Sequence, residues 1–195
     1  MIRMKGFVLW VLMGISFSGS AQSVFKVVLT VKNAAIMDVD AAADTATYYR
    51  IHLSGDTSEA NLPYPFDFGG QPIDTVRAIE ELLSFENDDR RCALPITDYD
   101  RGRQAYYTGR DTHYSIQVEA LYLINQLVYP SPFTYAPYPV LFDDLNKREL
   151  ATSGLVISQA FYAYRKWFKK LKKIGIAEIR EKKIMPLDGA YVRWY

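Results

Sequence analysis

The chain has 195 residues, 49% of them hydrophobic and 23% charged, a composition that excludes a disordered or collagen-like polypeptide and fits one folded domain. A net charge of +1 removes any global electrostatic reason to expect nucleic-acid binding. With 15 Tyr, 10 Phe and 3 Trp, the chain carries ample bulk for a core.

Residues 1–21 read as a secretory signal peptide. Arg3 and Lys5 make a basic start, residues 6–17 an apolar run, and the small Gly19 and Ala21 suit cleavage between Ala21 and Gln22. The run is too short for a comfortable membrane span, so no stable transmembrane anchor is expected after cleavage. The expected organisation is therefore a leader over 1–21 and a single globular domain over 22–195. Cys92 is the only cysteine, which excludes an internal disulfide, and no Asn-x-Ser/Thr acceptor occurs; a periplasmic or secreted location, with the bacterial periplasm preferred, follows. Charge is polarised. Residues 22–154 hold 11 basic and 19 acidic side chains, residues 155–195 hold 10 basic and 3 acidic ones. Such asymmetry signals either a charged partner or two regions that neutralise each other within one fold.

In chain order, residues 24–37 satisfy two templates. Phe25, Val27, Leu29 and Val31 alternate as in a strand, while Lys26, Thr30 and Asn33 form one polar helical face; the length and the following Ala pairs tip the reading to helix. Residues 42–53 are equally two-sided, Ala-rich first and then Tyr-rich. Residues 71–85 are a clear helix, with Pro72 in the first turn and Ile73, Val76, Ile79, Leu82 and Leu83 at helical spacing. Charged, turn-rich residues 86–111 read as a long surface loop. A second helix is expected over 114–128 and, from its broad apolar face, in a deeply buried position. The third spans 155–174 with a stripe of Ile157, Ala160, Phe161, Tyr164, Phe168 and Leu171; Gly175 ends it, and 176–184 resumes as a short helix before Pro186. The apolar C-terminal tail with Trp194 is expected to dock on the body.

These elements predict a mainly α fold, an irregular multi-helix domain with right-angled or solenoid-like packing and long Pro/aromatic loops. The alternative is α+β with a short N-terminal strand pair. Only residues 117–121 are loosely similar to the second helix of HEAT-type repeats, and no period of roughly 30–50 residues recurs, so no repeat family is assigned.

Two proline-aromatic loops, residues 62–68 and 129–139, are stiff enough to hold rings outward, which makes Tyr64, Phe66, Tyr129, Phe133, Tyr135 and Tyr138 candidate binding residues. Lys166, Lys169 and Lys173 share one outer helical face that suits an anionic partner; the bland alternative is a solvated face favoured near a helix C-terminus. Catalytic signals are thin. His52 and His113 lie outside any metal-ligand spacing, Cys92 lacks a flanking motif, and neither nucleotide-binding nor serine-nucleophile motifs occur, so neither a metal nor a cofactor is expected. Carboxylates remain, Glu119 in its apolar helix and the pair Asp98 and Asp100. The function expected is binding rather than catalysis: a periplasmic immunity or inhibitor-type module for another protein, with a carbohydrate or cell-wall binder as the alternative and a carboxylate-dependent hydrolase as the second.

Overall fold

Six residues that alternate around Val and Leu, Phe25–Thr30, form strand β1, and Tyr48–Leu53 form β2. They pair antiparallel in continuous register from Phe25 opposite Leu53 to Thr30 opposite Tyr48. This is a computed structural model; it describes residues 22–30, 48–54, 73–95, 113–129, 131, 135–136, 141–145, 148–149 and 154–194. The leader and its expected cleavage position, through Ala21, lie outside these residues. Gln22, the first residue after that position, has its carbonyl held by the Arg77 guanidinium.

Helix α1 spans Thr75–Ser84. It begins at Asp74, whose carboxylate accepts the Arg77 backbone N–H at 3.1 Å, a cap of the kind that contributes about 1 kcal/mol. Ala78, Ile79, Leu82 and Leu83 form its buried face. From its polar side, Glu81 accepts the backbone N–H groups of Val24 and Phe25 at 2.6 and 3.0 Å, fastening the start of β1. Strand β3, Arg91–Pro95, returns parallel to β2 at Tyr49 opposite Cys92, so β2, α1 and β3 form a crossover unit. Strand β4, His113–Ser115, closes a four-stranded sheet in the order β1-β2-β3-β4.

Helix α2, Ile116–Val128, is the centre of the core: it packs on β2 and β3 on one side and on α1 and α3 on others. Leu121, Leu123 and Ile124 are fully buried. Each such side chain contributes about 1.5–3 kcal/mol relative to exposure. Strands β5 (Leu141–Asp143) and β6 (Arg148–Glu149) precede the long helix α3, Gly154–Ile174. Gly175, at φ +88°, breaks the helix and leads into α4, Ile176–Glu181. Strand β7, Val192–Trp194, pairs with β5, giving a second sheet in the order β6-β5-β7. Trp194 is buried; its ring meets Tyr122 edge-on at 5.9 Å, and its Nε1 donates to the Tyr164 hydroxyl, which donates to Asn125 Oδ1, both at 2.7 Å.

The mainly α architecture expected from sequence is corrected: helices and two sheets mix in an α+β fold, and neither a right-angled nor a solenoid-like helix array describes it. Three local readings account for the difference. Residues 25–30 are strand rather than helix, because β2 offers them a full antiparallel partner that periodicity cannot register. The expected loop over 86–111 contains β3, anchored by the fully buried Cys92. The expected helix start at Tyr114 belongs to β4, and α2 begins two residues later. Long helices were legible; strands of three to five residues, β3, β4, β5 and β7, are too short to show a period.

Candidate functional site

A groove with a volume of about 740 Å³ opens between the outer side of α3 and residues 184–191. Its floor is Trp167, itself 4% exposed, and its apolar walls include Ala163 and Met185. Two tyrosines stand at its margins: Tyr162, on α3, is 74% exposed, and Tyr191, at the far end of the opposing segment, is 64% exposed. Lys166 and Lys170 follow one another along the helical side, and Asp188 lies on the other.

The wall formed by residues 184–191 is pinned from behind. The Ile184 carbonyl accepts both the Trp167 indole N–H and the Tyr129 hydroxyl at 3.0 Å, and the Leu187 backbone N–H donates to the Tyr135 hydroxyl at 3.0 Å. Asp188 accepts the Met185 backbone N–H at 2.8 Å, and Gly189, at φ +74°, makes a turn that a side chain would strain. The Tyr191 carbonyl then accepts the Asp144 N–H at 2.9 Å. Burial pushes the Tyr129, Tyr135 and Tyr164 phenols well above the ordinary range, so these groups remain neutral.

Charge on α3 divides into two populations. Arg165 reaches Glu86 at 2.6 Å, Lys172 reaches Glu80 at 3.7 Å, and Arg193 on β7 reaches Asp144 at 3.2 Å, so part of the basic C-terminal region neutralises the acidic remainder. Among the described residues, Lys166, Lys169, Lys170 and Lys173 form no ion pair. All four are exposed.

Of the binding residues singled out in the sequence, Tyr64, Phe66, Phe133 and Tyr138 lie outside the described residues, as do Asp98 and Asp100. Tyr129 and Tyr135 are brought together, with ring centroids 5.6 Å apart, but they face inward and serve as pins of the groove wall. Lys166 lines the groove; Lys169 and Lys173 extend the same helix's exposed basic surface beyond it. Sequence reasoning missed Tyr162 and Tyr191. Tyr162 had a signal: it is a large aromatic next to, but off, the α3 stripe, where a solvated helix face would carry a polar residue. Tyr191 had none, since an apolar tail expected to dock looks the same whether its rings turn in or out.

Glu119 sits fully buried on α2. Its carboxylate accepts Arg50 Nε at 3.3 Å and the Ile51 backbone N–H at 3.1 Å. Burial pushes its pKa above the usual carboxylate range, opposed by the Arg50 charge and by hydrogen bonds from Ile51, the Cys92 thiol and Arg50. With both oxygens engaged inside the core, the group joins β2 to α2 and presents no atom to a substrate. Among the described residues no cluster of His, Cys, Asp and Glu could hold a metal ion, and no helix is long and apolar enough to cross a membrane. Comparison with protein-family models, curated proteins and solved structures gives no match for this chain.

Proposed function

We propose that this chain is an exported, non-catalytic binding module of the immunity or inhibitor type, which holds another protein in the periplasm through the groove between α3 and residues 184–191. The observation that carries this reading is the combination of a hydrogen-bonded, preorganised wall with two outward tyrosines at the groove margins. Rings held in a rigid frame supply contact area with little side-chain entropy lost on binding. The leader-like residues 1–21 support export.

Affinity capture from the envelope fraction with the mature chain tests it. One stoichiometric protein is expected with the native chain and with Leu155→Ala, an exposed residue that does not line the groove, and is expected to be lost with Tyr162→Asp combined with Tyr191→Asp. Retention by the double variant, or capture of no protein, overturns the reading. The exposed rings of Tyr162 and Tyr191 also favour a second reading, a carbohydrate or cell-wall binder that stacks sugar faces. Its mark would be recovery of glycan by the native chain and not by the double variant.

A further inference from the structure

Resting on the reading of the groove as a protein-contact site, we infer that the partner segment is acidic and extended, with a large apolar or aromatic residue entering the groove over Trp167 and carboxylates meeting Lys166 and Lys170. Three features of the site converge on that chemistry. The volume of about 740 Å³ lies within the roughly 300–1,000 Å³ of sites that engulf a compact ligand, and its floor and walls are largely apolar. Its polar groups are unbalanced. Two ammonium groups, Lys166 and Lys170, stand against one carboxylate, Asp188, which keeps its charge while accepting the Met185 N–H; neither lysine forms an ion pair among the described residues, and Lys169 and Lys173 extend the positive sign along α3.

Spacing sharpens the inference. Lys166 and Lys170 are one helical step of four apart, about 6 Å along the axis at ~1.5 Å per residue. In an extended peptide, side chains two residues apart lie on one side and are separated by about 6–7 Å. Two acidic residues flanking a single position therefore match the two ammonium groups, and the anchor is expected within two or three residues of them. Tyr162 and Tyr191 close over that anchor from either margin. Opposite charges across such a rim act mainly on encounter rate and on partner choice, so the interaction should weaken as salt shortens the screening length toward about 8 Å.

The test is a selection of random peptides on the full mature chain, with the variant Tyr162→Asp, Tyr191→Asp as counter-target. Enriched peptides are expected to combine an aromatic residue with Asp or Glu two residues apart. A synthetic representative should lose about tenfold or more in affinity to Lys166→Glu, Lys170→Glu, and retain most of it with Lys166→Arg, Lys170→Arg. All these positions are exposed, so an unchanged circular dichroism spectrum and melting temperature are expected to accompany each variant. Groove-dependent peptides that are neutral or basic, with affinity indifferent to the lysines, would overturn the acidic partner while leaving the protein-contact reading intact. Absence of any groove-dependent peptide would overturn that reading itself. Two further results also overturn the inference. Sedimentation with phosphatidylglycerol vesicles that needs the lysines but not the tyrosines would assign the surface to a membrane, and a dimer abolished by Lys166→Glu, Lys170→Glu would assign it to a second copy.

Discussion

The buried Arg50–Glu119 pair and the open groove beside Lys166 and Lys170 treat charge in opposite ways. At Glu119 both carboxylate oxygens are engaged within the chain: Arg50 Nε donates to one and the Ile51 backbone N–H to the other, with apolar residues of α2 surrounding them. Along the groove, the exposed ammonium groups of Lys166 and Lys170 form no ion pair among the described residues, with Asp188 on the opposite wall and an apolar floor between. Both regions set charge against apolar residues, and they differ in whether the charged group meets one of opposite sign among the described residues. Pairing marks groups that hold the fold; under the proposed reading of the groove, its absence on a rigid frame marks groups left for a partner. The two regions should therefore respond to substitution in opposite ways.

The largest effect is expected at the buried pair. Glu119→Ala leaves Arg50 without its carboxylate in a site where side-chain exposure of Arg50 is 7% and of Glu119 is 0%, a loss of about 3–5 kcal/mol in unfolding free energy by urea denaturation. Replacing both partners, as Arg50→Met with Glu119→Leu, should cost far less than either single loss, since apolar residues of similar volume need no charge compensation. Additive losses in that cycle would mean that the pair is not a coupled unit.

Titration gives a second measure of the same pair. Because burial raises the Glu119 pKa, the native state keeps this proton to higher pH than the unfolded chain does. Its contribution to stability is complete below the unfolded carboxylate pKa and is lost as pH rises through the folded value. Unfolding free energies measured across the acid range should thus fall for the native chain relative to Glu119→Gln as pH rises over that window, then run parallel. A difference that moves the other way would mean that Arg50 outweighs burial.

An intermediate effect is expected at Tyr164. Its hydroxyl stands between the Trp194 indole N–H and Asn125, both buried. Tyr164→Phe keeps the ring and strands these two groups, a loss of about 1–3 kcal/mol. The C-terminal strand is tied to the core at this point, so near-ultraviolet circular dichroism of Trp194 should report the change.

How far these regions could be read in the sequence follows from what each one depends on. The α3 stripe through Ile157, Phe161, Tyr164 and Phe168 is a local repeat, and the helix appears where the spacing puts it, at Gly154–Ile174. The burial of α2 followed from its width. β1 did not follow, because Phe25, Val27 and Leu29 find their strand partners only in Leu53, Ile51 and Tyr49, 28, 24 and 20 residues further along the chain. The pairing of Glu119 with an arginine was foreseeable as a chemical need, but not the choice of Arg50, which the β2–α2 contact decides. The groove was half legible: Lys166 lay on the outer helical face that the spacing predicts, while its opposing wall depends on the Ile184 and Leu187 backbone groups meeting Trp167, Tyr129 and Tyr135. Tyr129 and Tyr135 stood out as aromatic residues in a proline-rich loop, and residue type alone carries no sign of whether a ring turns toward solvent or core.

The smallest effect on stability is expected where the effect on binding should be greatest. Tyr162 is 74% exposed and makes none of the hydrogen bonds that pin the groove wall, so Tyr162→Ala should change unfolding free energy by no more than about 0.5 kcal/mol. The same substitution removes one of the two rings that would close over a partner's anchor. Trp167 supplies the internal control: it is 4% exposed and its indole N–H is bonded to Ile184, so Trp167→Ala should unfold the chain more readily and disturb the groove together. A pair of melting curves and a pair of partner titrations separate the two positions. If Tyr162→Ala destabilises the chain as Trp167→Ala does, the exposed ring is holding the fold, and the division between completed and open interactions fails at the groove.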